Sequence, residues 1–253
     1  MIRFEGVRKA LGGRPVLDGV DFEVRRGEIF VIVGPSGAGK SVTLKHMVRL
    51  LTPDEGRVFV DGEEVSAASG AALERIRERF GFLFQGGALL AWLSMAENVA
   101  LPLREKTRMS EAQIRARVGE TLRMVGLEDH AAKLPSELSG GMRKRAALAR
   151  AIVRSPEIVL YDEPTSGLDP VTSRTIDALI AKLQRELGVT SVVVTHDLHS
   201  ALAIGSRIAM LDGARIVELA PPQEFIRSPE PAVRDFLEAQ YITKQGVWER
   251  NVL

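Results

Sequence analysis

Two short sequences far apart in the chain hold the groups best suited to phosphate chemistry. They are Gly34-Pro35-Ser36-Gly37-Ala38-Gly39-Lys40-Ser41 and Leu138-Ser139-Gly140-Gly141-Met142. The first fits G-x-x-x-x-G-K-[ST], a loop whose backbone N–H groups wrap phosphates. Lys40 would reach the β- and γ-phosphates of a nucleotide, and the Ser41 hydroxyl would ligate Mg²⁺. The second sequence presents backbone amides at the start of another helix. They suit an anion, of the same site or of another.

Carboxylates that could complete such a site stand at Asp162 and Glu163, after the apolar run Ile158-Val159-Leu160-Tyr161. An aspartate ending a buried strand can hold Mg²⁺ directly or through water. Glu163 beside it is placed to polarise an attacking water, the work of a general base. His196 follows a third apolar run, Val192-Val193-Val194-Thr195. There it can hydrogen-bond a γ-phosphate or hold the catalytic carboxylate in register. His46, His130 and His199 are read as structural.

The elements that must position these groups are legible around them. Ile29-Phe30-Val31-Ile32-Val33 reads as a buried strand, and residues 42–51 as a helix stopped at Thr52-Pro53. With three apolar strands ending in polar groups, ligands belong at the carboxyl ends of a parallel sheet. Ile2–Phe4, Asp21–Val24 and Arg57–Val60 read as strands of an antiparallel part, the last closed by Asp61-Gly62. Ser110-Glu111-Ala112-Gln113 is a capping box opening a helix that Gly126 ends. Asp169-Pro170 caps a helix running through Leu187 to Gly188. The helix after Leu138-Ser139-Gly140-Gly141-Met142 stops at Ser155-Pro156, and Asp212-Gly213 joins a hairpin of Ile208–Leu211 and Arg215–Leu219.

Composition narrows the class without naming a function. The chain has 253 residues, one domain with subdomains. Lys+Arg 34 against Asp+Glu 33 leaves +1, which gives no footprint for nucleic acid. No cysteine is present, consistent with a reducing compartment and excluding disulfides and thiolate metal sites. Met1-Ile2-Arg3-Phe4-Glu5 lacks the apolar stretch of a signal peptide, and no run approaches the roughly 20 apolar residues that span a bilayer.

The order of 34–41, Gln85, Leu138-Ser139-Gly140-Gly141-Met142, Asp162-Glu163, Ser166-Gly167-Leu168-Asp169 and His196 resembles the ATP-binding subunit of an ABC transporter over about residues 2–225. The resemblance implies an α/β fold of the P-loop NTPase class: a RecA-like core with an antiparallel β subdomain and a helical subdomain. Core and β subdomain would take about 1–85 and 155–225, the helical subdomain about 86–154, and 226–253 would be a C-terminal extension. It also implies ATP and Mg²⁺ as ligands and a head-to-tail homodimer. In that dimer Ser139, Gly140 and Gly141 of one protomer meet the γ-phosphate held by Lys40 of the other. Asp169 would communicate between the sites, and Gln85 would sense metal and water. One departure stands out: where the family places an aromatic residue on adenine, this chain reads Ala10-Leu11-Gly12-Gly13-Arg14, and Leu11 can pack on a base but not stack.

A narrower resemblance follows Gln85. The stretches 84–90 and 97–105, Pro135-Ser136-Glu137, and 229–237 are similar to ATPases of Mla/Mce-type lipid transport systems. This implies a peripheral subunit on the cytoplasmic face of the inner membrane, working with integral membrane permease subunits. A STAS-domain accessory subunit and an Mce-type substrate-binding protein would complete the assembly. An amino-acid or metal importer is the alternative, followed by a soluble ABC ATPase. Ala88-Leu89-Leu90-Ala91-Trp92-Leu93 either packs the helical subdomain or receives a helix of the membrane subunit, with Trp92 the best contact. Arg143-Lys144-Arg145 reads as a solvated helix face. Phe236, Leu237, Tyr241, Val247 and Trp248 make the tail too apolar to be free. It docks on the dimer mate or an accessory subunit, or folds back on its own core.

Overall fold

The computed structural model describes residues 1–240. They form two compact units: Met1–Leu73 together with the residues from Val194 on, and Glu74–Val193. The first unit opens with β1 (Ile2–Leu11), β2 (Arg14–Val24), β3 (Ile29–Val33), α1 (Lys40–Met47), β4 (Glu55–Val60) and β5 (Glu63–Glu64). The antiparallel sheet has the order β2-β1-β4-β5. Its first two strands run ten and eleven residues, far beyond the segments 2–4 and 21–24 that the sequence marks. Register shifts between Phe4 and Val7, Val7 and Lys9, and Lys9 and Ala10 interrupt the alternation that would have revealed the full length.

Helix α1 ends at Met47, four residues before the expected stop. Arg49 takes φ 51, Leu50 N–H reaches the Lys45 carbonyl at 2.8 Å, and Arg49 N–H reaches that of His46 at 3.1 Å. These two bonds are a Schellman ending built without glycine, so no residue type announces it.

The second unit contains α2 (Gly70–Glu78, which begins in the first), β6 (Phe80–Leu83), α3 (Met95–Lys106), α4 (Glu111–Met124), α5 (Gly140–Ile152), β7 (Ile158–Asp162), α6 (Pro170–Leu187) and β8 (Thr190–Val194). Here β8, β7 and β6 are neighbours in that order, β6 and β7 pairing in parallel. Ser94 opens α3 with a capping box closed by Glu97, a start the sequence reading overlooks. Ser110 caps α4, and Gly126, at φ 66, ends it. Asp169 and Gly188 bound α6 where the sequence places them.

The chain then returns to the first unit with α7 (Leu198–Ile204), β9 (Arg207–Asp212), β10 (Arg215–Ala220), α8 (Pro222–Phe225) and α9 (Pro231–Ala239). Here β10, β9 and β3 lie side by side, β3 and β9 parallel. All five residues of β3 are buried. Phe4 stacks on Phe22 at 4.4 Å, and Phe22 on Phe30 at 5.3 Å, joining the antiparallel sheet to β3. Val233 and Leu237 of α9 are buried against this unit, α9 lying on β10. Through Gln240 the tail therefore folds back on its own core; Tyr241, Val247 and Trp248 lie outside the described residues.

Candidate functional site

In the first unit the buried strand β3 delivers the chain into a loop where side chains do not fit. Gly34 sits at φ 151, and a Cβ there would lie 2.2 Å from the Leu211 carbonyl oxygen. Gly39 sits at φ 104 as the N-cap of α1, and a Cβ would come within 2.7 Å of the Val16 oxygen. Only glycine admits backbone packed this closely, so main chain rather than side chains lines the entry to α1, where a helix N-terminus suits an anion; within the loop Ala38 N–H donates to the Pro35 carbonyl at 3.2 Å. Pro35, Ser36, Gly37 and Ala38 line a cavity of about 460 Å³ with Pro15, Val16 and the Asp212-Gly213-Ala214 turn. Lys40 is buried, its ammonium donating to the carbonyls of Gly34 at 2.9 Å and Pro35 at 3.1 Å. Ser41 occupies the next position of α1. Leu11, at the end of β1, is 44% exposed.

Thr195 N–H donates to the Ile32 carbonyl at 3.1 Å, so the residue before His196 is bound to the strand that feeds the phosphate loop. The His196 side chain is exposed. Its carbonyl accepts from Gln240 Nε2 at 2.7 Å, while Gln240 Oε1 accepts from Leu198 N–H at 2.8 Å. The amide of Gln240 thus clamps this turn from the far end of the sequence. Reading the sequence gave no hint of that role, because a lone glutamine carries no motif.

In the second unit β7 ends in Asp162, and both Asp162 and Glu163 are buried. Glu163 has φ 49, a left-handed conformation that a glutamate rarely adopts. Gln85 is exposed on a tight turn, where Gly87 N–H donates to the Phe84 carbonyl at 2.7 Å. Ser139 caps α5, its hydroxyl accepting from Met142 N–H at 3.3 Å. A Cβ on Gly140 would meet Leu168 at 3.1 Å, and one on Gly141 would meet Thr172 at 2.5 Å. The absence of side chains lets α5 start directly against the 165–172 turn. Asp169 uses both carboxylate oxygens there, accepting from Val171 and Thr172 N–H and from the Thr172 hydroxyl. The Thr172 hydroxyl bond, above all, holds its carboxyl below the usual carboxylate range.

Of Arg143-Lys144-Arg145, expected as a solvated helix face, Arg143 is exposed and Arg145 half-buried, but Lys144 is buried, and each side chain donates to main-chain carbonyls. Arg143 reaches Leu138, Arg145 reaches Val125 and Gly126, and Lys144 reaches Gln85 and Glu163. Trp92 is 75% exposed, so it does not pack the interior, while Leu89, Leu90 and Leu93 are half-buried. Its loop is fixed from beneath by Asn98, fully buried. The Asn98 amide accepts from Leu90 N–H at 2.8 Å and donates to the carbonyls of Leu90, Leu93 and Ser94, each at 3.0 Å.

Among the described residues no helix is long and apolar enough to cross a membrane, and no cluster of three His, Cys, Asp or Glu could hold a metal on its own. The family profile described as "ABC transporter" matches residues 17–166. The chain belongs to that family. It is an ATPase, and its fold is that of the ABC cassette. It is 41% identical over 250 residues to the "Probable ribonucleotide transport ATP-binding protein mkl" of Mycobacterium leprae, covering 99% of this chain and 72% of that one. It is 44% identical over 258 residues to the "Methionine import ATP-binding protein MetN" of Caulobacter vibrioides, covering 100% and 77%. Against the "Intermembrane phospholipid transport system ATP-binding protein MlaF" of Escherichia coli the figures are 41% over 227 residues, 90% and 84%. A solved dimer of the ATP-binding cassette MJ0796 in a post-hydrolysis state, bound to ADP and Pi, superposes with a TM-score of 0.80 at 38% identity, over 88% of this chain and 99% of that one. The resemblance to this family is therefore correct, and the ABC cassette binds ATP.

Proposed function

We propose that this cassette powers an ABC transporter for phospholipid or another hydrophobic substrate, as a homodimer beneath integral membrane permease subunits. It would sit on the cytoplasmic face of the inner membrane. Lys40 holds the β- and γ-phosphates, and His196 contacts the γ-phosphate. Ser139, Gly140 and Gly141 cover the nucleotide held by the loop of a second copy, and Asp169 links the two sites. Glu163 polarises the water that attacks in line. The oxygen donors of Ser41, Asp162 and Gln85 suit a hard cation, and Mg²⁺ there would neutralise charge developing on the phosphates. When the γ-phosphate leaves, its contacts are lost and the dimer reopens.

The observation that carries the hydrolytic part is the buried pair at the end of β7, Glu163 being held in a left-handed conformation. Glu163→Gln should keep ATP binding, lower hydrolysis by about 10²- to 10⁴-fold and accumulate a dimer. Hydrolysis at the wild-type rate would refute the base assignment. Likeness to MlaF and the 84–105 sequence support a lipid cargo, with a STAS-domain subunit and an Mce-type protein as further partners. The similar identity to MetN favours a second reading, import of an amino acid such as methionine. Purifying the cassette with its permease and identifying the bound small molecules by mass spectrometry separates them. Copurified phospholipid supports the first reading, and methionine-dependent ATPase stimulation the second.

A further inference from the structure

Of the four cationic side chains on helix α5, Lys144 and Arg150 bind the turns at 85–88 and 163. Lys144 is 7% exposed, and its ammonium donates to the backbone carbonyl of Gln85 and, at 3.0 Å, to that of Glu163. Farther along the same helix, Arg150 donates to the carbonyls of Ala88 at 2.7 Å and Gly87 at 2.8 Å. Between them lies Ala147, whose Cβ would stand 3.4 Å from a Cβ on Gly87. Burial pushes both cations below their usual pKa, and the neighbouring charges of Glu163 and Asp162 partly restore Lys144. A cation withdrawn from water persists only where acceptors satisfy it, and here they are main-chain oxygens of Gln85, Gly87, Ala88 and Glu163.

The Glu163 carbonyl is unusually crowded. It accepts from Lys144 Nζ, from Ser166 N–H at 3.2 Å and from the Ser166 hydroxyl at 3.0 Å. A left-handed glutamate survives only where its surroundings over-determine it. Because the backbone twist at Glu163 sets the direction of its carboxylate, whatever fixes the carbonyl also aims the base.

We propose that Lys144 is a positioning residue for hydrolysis: its ammonium ties the Glu163 and Gln85 carbonyls to α5, so that base and glutamine turn keep one orientation relative to Ser139-Gly140-Gly141. Lys144 acts through the main chain, donating to the carbonyls of Gln85 and Glu163. The proposal rests on Glu163 as the base. Since the start of α5 covers the second copy's nucleotide in that reading, Lys144 also connects occupancy of one site to the base of the other.

The test is Lys144→Met in the full chain, which keeps the apolar stem and removes every donor. Turnover at saturating ATP should fall by about 10- to 100-fold, with KM and the affinity for a fluorescent ATP analogue changed by no more than about twofold. Lys144→Arg, still able to donate to both carbonyls, should recover turnover to within about fivefold of wild type. Arg150→Met frees Gly87 and Ala88 but leaves Glu163 held, and should cost no more than about threefold. Near-normal turnover in Lys144→Met would overturn the proposal. So would an arginine variant no better than methionine, or Arg150→Met as damaging as Lys144→Met, which would mean general packing of α5. If Lys144→Met fails to fold, Lys144→Leu decides, since it too removes every donor, an unchanged turnover overturning the proposal and a reduced one at constant KM supporting it. Glu163→Gln run alongside separates the two levels. A fully active Glu163→Gln removes the base assignment, whereas an inactive one beside an active Lys144→Met removes only the positioning role.

Discussion

Glu163 and His196 both stand just beyond the end of a buried strand, yet they are held by opposite means. Glu163 is buried, its backbone left-handed, its carbonyl bound by a buried ammonium and by both donors of Ser166. His196 is exposed, and its carbonyl accepts from the amide of Gln240, at the C-terminal end of α9. The first turn is fixed by groups that cannot leave without uncovering the core. The second is fixed by a clamp on the surface that one helix can withdraw. In the proposed mechanism Glu163, as base, must keep a position within fractions of an ångström, whereas His196, answering to the γ-phosphate, must be free to move.

The largest effect that would break this comparison is at Glu163 itself. Glu163→Gly removes the carboxylate and supplies a residue at ease with φ 49. Hydrolysis should drop by about 10²- to 10⁴-fold, while thermal stability holds or rises by the equivalent of about 1 kcal/mol. Calorimetry beside a turnover assay checks both. A marked loss of stability would mean that the turn is not strained, and the contrast with His196 would fail on the Glu163 side.

Gln240→Ala is the corresponding cut at His196, and its effect should be smaller. It deletes both hydrogen bonds of the clamp, worth about 0.5–1.5 kcal/mol each. Hydrogen exchange at 196–198 should accelerate by about tenfold and turnover fall by about threefold, with exchange at 163–166 unchanged. Acceleration at both turns would show that they share one cooperative unit and would erase the distinction.

What was legible in the sequence follows the same division. Where a residue type marks an element's start or end, its place was legible: the glycines and Lys40 after β3, Asp162 at the end of β7, Asp169 as the cap of α6. The hairpin at Asp212-Gly213 was equally plain, since turn geometry selects those residues. Features made from main-chain carbonyls were opaque. Lys144 and Arg150 look like surface charge until their acceptors are seen, and a carbonyl is the same at every position. Asn98 likewise appeared as part of a family-like stretch, although its amide holds the whole loop beneath Trp92. The bulges of β1 and the glycine-free end of α1 were hidden because they depart from the periodicities by which elements are recognised.

Ser166→Ala makes the finest cut. It removes one of the donors to the Glu163 carbonyl and leaves the Ser166 N–H and Lys144 in place. If the ammonium is the dominant clamp, losing a neutral hydroxyl costs only about 0.5–1.5 kcal/mol, most of it absorbed by the remaining bonds, and turnover falls by less than about threefold. Bonds to charged donors are about twice as strong as neutral ones, so the order Lys144→Met far above Ser166→Ala is fixed by charge rather than by distance, the hydroxyl and the ammonium both standing at 3.0 Å. The double variant should then fall further than the sum of the single effects on the free-energy scale, because each donor compensates for the other until both are gone. Strict additivity would mean that the two donors act on Glu163 independently, and the picture of a single over-determined turn would have to be replaced by two separate contacts.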